Sequence, residues 1–245
     1  MEPIYVQKFR IHEGMADRFG RLKPSSLLTI IQEASGRHSD LLQVDWDTLN
    51  SQDLFWAISR HRIQITRLPD LGETLRVETW PMPTTRVAYP RSVVAYDENG
   101  EEIFRSISLW VLMDRNTRNL ITPGKSGIVV SGTLRGTELT VPSSLCPVKS
   151  RNLGNRTVCF TDLDRNGHMN NARCMDWISD LLPSIFHKDH PVKEFTVCYL
   201  SEATEGETLE LHWDFQQENL AQVDAYRHNP EEGHTRVFSV KILFH

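Results

Sequence analysis

"GETLRVETW", Gly72 to Trp80, returns in the second half of the chain as "GETLELHW", Gly206 to Trp213. A repeat of this kind decides how the rest of the sequence is divided. Each copy follows a β-rich run, "HRIQITRLPDL" and "EFTVCYLSEATE", and each precedes an alternating hairpin pattern. In the first half "RSVVAYDENGEEIFRSISLWVLM" turns at Asn99-Gly100, a strong short hairpin signal. In the second, "AQVDAYRHNPEEGHTRVFSVKILFH" turns around Pro230 to Gly233. Its last strand puts Phe238, Val240, Ile242 and Phe244 on one face.

The repeat extends upstream, where "DRFGRLKP" from Asp17 lines up with "DRNGHMNN" from Asp164. The first copy leads into a long helix with Leu27, Leu28, Ile31, Ala34, His38, Leu41 and Leu42 at helical spacing. Small residues in it, Ala34, Ser35 and Gly36, would let a sheet approach closely. The second leads into a shorter helix with Cys174, Ile178, Leu181 and Leu182 on one side. Asn170 or Asn171 is its expected N-cap and Pro183 its stop. Each half thus reads strand, helix and four mostly antiparallel strands, a two-layer α+β arrangement. The Gly-, Pro-, Ser- and Thr-rich stretch 123–147 is the natural linker between a first domain, 1–122, and a second, 148–245. Two such units most simply pack against each other as a pseudo-dimer.

At 245 residues, 39% hydrophobic and 24% charged, the chain has an ordinary globular balance. A net charge of −5 gives no overall basic field to recruit nucleic acid. No apolar run approaches the roughly 18 residues of a membrane span, and the N-terminal residues lack a secretory pattern. Cys146, Cys159, Cys174 and Cys198 match no metal-ligand spacing. No metal or cofactor is called for, and reduced thiols in a cytoplasmic protein are expected.

A duplicated unit supplies its own control, because residues needed by the shared fold should recur. Asp17, Arg18 and Gly20 recur as Asp164, Arg165 and Gly167, so a common turn accounts for them. Asn166 and His168 instead face Phe19 and Arg21, and aligning Gly72 with Gly206 puts Glu202 opposite Leu68. Asp164, Asn166 and His168 share one side if the segment is extended. Turn and capping chemistry is the plainer reading of such an Asn/Asp/Gly cluster. The joint absence of the His and Glu equivalents from the other copy shifts the weight to function.

At these residues the chain resembles the acyl-acyl carrier protein (ACP) thioesterases, a family of two tandem hotdog folds. In each, a curved antiparallel sheet wraps a long helix. "DRNGHMNNARCMDWI" is similar to the family's D-x-N-x-H-x-N-N segment, and "YLSEA", Tyr199 to Ala203, to the segment that ends in a catalytic glutamate. "QEASGRH", "TWP" and "LWVLMDRNTR" are family-like in the first half, so the resemblance runs from about Tyr5 to Phe244. It implies hydrolysis of the thioester joining a fatty acyl chain to the phosphopantetheine arm of ACP. The first domain would bind the acyl chain, and Asp164, Asn166, His168 and Glu202 in the second would be the catalytic set. Plant members often carry a cysteine just after the glutamate; Ala203 stands there, which excludes a cysteine nucleophile at that position. No plastid transit pattern is present, so a bacterial cytoplasmic enzyme is expected, and association into a homodimer is compatible with the fold.

The chemistry suits these groups. A thiolate leaving group with a parent pKa of about 8.5 needs neither strong acid assistance nor a metal. It needs an activated water or carboxylate, and donors aimed at the developing oxyanion. Glu202 with His168 would orient and deprotonate water, and Asn166 would position water or the carbonyl. Backbone N–H groups near Gly167 and the following helix start would face the oxyanion. Asp164 either orients His168 or Asn166, or attacks the carbonyl itself to form an anhydride.

Other candidates read as structure. Cys174 and His38 are expected in the interior, and "HKDH", His187 to His190, as a surface loop rather than a metal pair. Trp46, Phe55, Trp56 and Trp80 are expected in the core, with one of them free to cap an acyl tunnel. An acidic ACP calls for a basic docking patch, for which Arg60, Arg62, Arg67, Lys149, Arg151 and Arg156 are candidates. The competing readings are an acyl-CoA thioesterase, a hotdog hydratase or dehydratase with a different Asp/Glu–His motif, and a non-enzymatic acyl-binding regulatory module. The last should lack the catalytic carboxylate or histidine and carry a DNA-binding extension.

Overall fold

The computed structural model describes residues 3–148, 151–229 and 233–245. The first half runs β1 (Tyr5–Arg10), α1 (Pro24–Leu41), α2 (Trp46–Asn50), β2 (Leu54–Ile65), β3 (Thr74–Pro81), β4 (Tyr89–Tyr96), β5 (Glu102–Asp114) and β6 (Leu120–Ile121). A single turn, α3 (Pro123–Ser126), opens the connection to the second half. There follow β7 (Arg151–Thr157), α4 (Arg173–Ser179), α5 (Ser184–Asp189), β8 (Val192–Tyr199), β9 (Thr208–Gln217), β10 (Leu220–Asn229) and β11 (Gly233–Phe244).

All strands join one antiparallel sheet in the order β1-β3-β4-β5-β2-β8-β11-β10-β9-β7, with β6 beside β5. Read inward from each edge, the two halves have the same order. They meet at β2 and β8, paired from Arg60 opposite Cys198 to Gln64 opposite Glu194. The α+β class and large antiparallel sheet are as the sequence pattern requires.

Pro24 starts α1 at a position where its missing N–H costs nothing. Leu27, Leu28, Ile31 and Ala34 then bury one stripe against both halves of the sheet, in one core with Trp177, Ile178, Phe195 and Val240. α4 lies beside α1, and the Ser25 hydroxyl donates to Asp176. Two expectations for α1 need correction. Leu41, the last residue of the helix, is 58% exposed. Gly36 is exposed, with nothing near the place a Cβ would occupy, so it is not where the sheet approaches.

The sheet's other face is covered by the connection between halves. Trp80 Nε1 donates to Glu138 (3.2 Å), Arg105 Nη1 to the Thr137 carbonyl (2.6 Å) and Arg60 Nη1 to the Pro142 carbonyl (3.0 Å). Further along, Arg236 Nη2 donates to the Leu145 carbonyl (2.9 Å) and Gln222 Nε2 to the Cys146 carbonyl (2.8 Å). A segment without its own ladder thereby satisfies its carbonyls from the strands it crosses. The linker thus lies over Gln222 and Cys198, which are buried on the face away from the Phe238, Val240, Ile242 and Phe244 row.

Asp97 shapes the β4–β5 hairpin by accepting from Asn99 N (3.0 Å) and Glu101 N (2.9 Å), with Gly100 at φ +84°. Of the second hairpin's expected turn, Pro230 to Glu232 lie outside the described residues. α4 begins after Ala172, not at Asn170 or Asn171. Asn170 closes the turn before it, its side chain accepting from Ala172 N at 2.9 Å. "HKDH" ends a helix rather than forming a loop, its two rings bonded to the carbonyls of Ser179 (2.8 Å) and Phe186 (3.2 Å). Among the described residues no cluster could hold a metal, and no helix is long and apolar enough to cross a membrane.

Candidate active site

The internal repeat is a repeat of structure. Asp17 Oδ1 accepts from Phe19 N (2.8 Å) and Arg21 N (3.0 Å); Asp164 Oδ1 accepts from Asn166 N (2.7 Å) and His168 N (3.4 Å). Gly20 N and Gly167 N each donate to their aspartate's carbonyl at 3.0 Å. The two glycines share a left-handed φ, +78° and +77°, which a side chain would resist. The recurring Asp and Gly therefore build the turn in both copies. The segment is this tight turn and not the extended run expected, and Asp164 and Asn166 meet because the turn folds them together. Gly167's N–H is spent within the turn, so it is not an oxyanion donor as expected.

What differs is the side chains the turn presents. A bridge from His168 to Thr204, with Met169 N donating to the Ala203 carbonyl at 2.8 Å, draws the loop after β8 alongside. His168 Nδ1 thus lies 3.4 Å from Glu202 Oε1. In the first copy the equivalent bridge joins Arg21 to Asp70, but Arg21 reaches the His187 carbonyl (2.8 Å) and Leu68 packs on the core. All four predicted residues are brought together. Burial first, and the Arg118 charge after it, hold His168 below the usual imidazole value, outweighing the opposing pull of Asp164. The ring is neutral at pH 7 and able to accept a proton.

The first half completes the site with Arg118, which the sequence did not single out, and with Trp46, which it placed in the core. Arg118, in the β5–β6 turn at φ +58°, pairs through Nη2 with Glu202 Oε2 and stacks 4.8 Å from the Phe55 ring centre. Trp46 Nε1 donates to Asn166 Oδ1 at 3.0 Å. Because an indole only donates, this contact fixes which way the Asn166 amide points. Arg165 and Arg115 lie over the same indole, 4.3 and 5.7 Å from a ring centre. Two of the four candidates on the second half, Asn166 and Glu202, are thus held from across the boundary.

Two adjoining cavities open here. One, of about 450 Å³, is lined by Asp164, Asn166, His168 and Glu202 together with Phe55, Trp56 and Arg118. The other, of about 370 Å³, shares Asp164, Asn166, Phe55 and Trp56 and continues along α1 to Tyr89, Trp110 and Val130. Of the aromatics expected in the core, only Trp80 is fully buried; Trp46, Phe55 and Trp56 are part-exposed walls of these cavities. Cys174 is buried, and burial pushes its thiol up to about 12, which rules out a ready thiolate.

The expected docking arginines are mostly occupied. Arg60 holds the linker, Arg62 pairs with Glu194 (2.8 Å), Arg67 with Glu73 (2.7 Å) and Arg156 with Asp180 (2.6 Å). Arg151 is exposed at the start of β7, and Lys149 lies outside the described residues.

Residues 2–123 match the acyl-ACP thioesterase N-terminal domain model, and residues 147–243 match the C-terminal domain model. A chloroplastic dodecanoyl-acyl-carrier-protein hydrolase of Cinnamomum camphora is 26% identical over 200 residues, 76% of this chain and 52% of the relative. The chain therefore spans about half the length of the curated relatives it matches. Its fold is that of an acyl-ACP thioesterase from Bacteroides thetaiotaomicron, at TM-score 0.88 and 24% identity, covering 99% of this chain and 98% of that one. The 12:0-ACP thioesterase from Umbellularia californica superposes at TM-score 0.83 with 21% identity, over 100% of this chain and 98% of that one. With the two family domains matched in order along its length, this chain belongs to the acyl-ACP thioesterase family.

Proposed function

We propose that this protein hydrolyses fatty acyl-ACP to free fatty acid and ACP, working in the cytoplasm as two tandem hotdog units joined as a pseudo-dimer. The units are 1–122 and 148–245, with 123–147 strapped across the sheet between them. One observation carries the reading: the His168–Glu202 pair stands at a cavity mouth in the second copy, and its counterpart is absent from the otherwise identical turn in the first.

Glu202, 3.4 Å from His168 Nδ1, orients the imidazole so that Nε2 is the base. Nε2 takes a proton from water as the oxygen attacks the thioester carbonyl. Both Asp164 oxygens face the turn and the Asn166 amide, which favours water over Asp164 as the nucleophile. The Asn166 amide and the Asn171 N–H, which makes no hydrogen bond among the described residues, are the donors for the oxyanion. Collapse of the tetrahedral intermediate expels the thiolate, which recovers the proton from His168. The acyl chain extends into the cavity along α1, and the carrier's arm enters past Glu202.

Thiol release from acyl-ACPs of varied length, compared with the matching acyl-CoAs, tests this. Higher kcat/KM on the ACP thioesters is expected. Equal or faster turnover of the CoA thioesters would make the protein an acyl-CoA thioesterase instead.

A further inference from the structure

The cavity along α1 is walled by Trp56, Tyr89, Trp110 and Val130, as a hydrocarbon chain would require. Of the charged residues that also line it, Asp40, Asp45, Arg91, Asp164 and Arg165, only Arg91 is buried. Arg91, on β4, is only 7% exposed, and a charged guanidinium is costly to bury. It donates through Nη1 alone, to His38 Nδ1 (3.1 Å) and Thr79 Oγ1 (3.1 Å). Among the described residues no carboxylate pairs with it, and its Nε and Nη2 make no hydrogen bond. Ser35, facing the same cavity from α1, is 4% exposed, and its hydroxyl also has no partner among the described residues. Burial lowers the Arg91 guanidinium to about 10, so it is still charged at pH 7.

A saturated chain laid against this wall would leave Arg91 Nε and Nη2 and the Ser35 hydroxyl sealed off without an acceptor among the described residues. An oxygen on the chain would accept from both residues. We infer that the cavity selects acyl groups carrying a hydrogen-bond-accepting oxygen beyond the thioester, received by Arg91 and Ser35. The shared chemistry is a hydroxyl, oxo or carboxylate oxygen on an otherwise aliphatic chain. This rests on the hydrolase reading above and narrows its substrate.

The test is a set of acyl-ACPs of equal chain length: saturated, 3-hydroxy, 3-oxo and ω-carboxy. At least one oxygenated member should exceed the saturated one in kcat/KM by about tenfold or more, because a site built to bond an oxygen discriminates against its absence. Arg91→Met should remove that preference by slowing the oxygenated substrate about tenfold while sparing the saturated one. A wild-type enzyme that turns over the saturated chain as well as every oxygenated one overturns the inference and leaves the hydrolase reading standing. Equal loss on both substrates in Arg91→Met overturns it too. If that variant does not fold, the wild-type ranking still decides, and Ser35→Ala should lower the preference in the same direction. Turnover of none of the four removes the hydrolase reading and this inference with it.

Discussion

Arg118 lies in the first half, yet its guanidinium holds the carboxylate that orients His168. Replacing it with methionine keeps much of the stem over Phe55 and removes the charge. The pair is half open to solvent, with side-chain exposures of 44% and 41%, so it contributes no more than about 1 kcal/mol to stability. For a chain of this size that shifts Tm by only about 2–4 °C. The rate should respond far more, because a freed Glu202 no longer fixes the imidazole. A loss of about 10–100-fold in kcat is expected, with KM little changed. The pH profile should move as well. The active form has neutral His168, so activity falls as pH drops through its pKa. Arg118 helps hold that pKa below 6.5, and removing it must move the acid limb upward. Thiol release at saturating acyl-ACP, followed across about pH 5 to 9, reads both effects, and Arg118→Lys should restore part of each. Full turnover with an unmoved acid limb, in a folded Arg118→Met protein, would refute the assignment of Arg118 as a positioning residue.

Two further predictions rest on single residues. Trp46→Phe removes the indole donor to Asn166 Oδ1 but keeps an aromatic wall, and should cost about tenfold in kcat with little effect on Tm; unchanged kcat would show that Asn166 holds its orientation without Trp46. His61, fully buried between β5 and β8, is lowered by burial from 6.5 to about 3. Between those values the unfolded chain binds a proton that the folded chain does not, so stability is lost as pH falls from about 6.5 towards 3. The slope from this one group is about 1.4 kcal/mol per pH unit. Urea unfolding at several pH values should show that slope in the wild type and lose it in His61→Leu.

Most of this architecture is legible in the internal repeat. "GETL" in both halves aligned the strands, and the Asp17 turn separated the structural Asp164 and Gly167 from Asn166 and His168. Pattern reading failed where a contact crosses the chain. Trp46 lies in a stretch only the first half possesses, and nothing local says that its indole reaches Asn166. Nothing around Arg118 in the sequence points to Glu202, because the two halves are joined only where β2 and β8 pair. The same holds for the linker: its composition announces a loop, while its path across the sheet depends on arginines spread over several strands. Helix boundaries suffered in the ordinary way, since Asn170 caps a turn that precedes α4 rather than α4 itself.

The catalytic assignment to the second copy is tested most directly by kcat for His168→Ala on acyl-ACP, measured beside Arg21→Ala at the equivalent position of the first. Loss of a general base should slow His168→Ala by about 10²–10⁴-fold, with Arg21→Ala within a few-fold of wild type. A folded His168→Ala enzyme that keeps turnover comparable to wild type, or an equal loss from both changes, would contradict it.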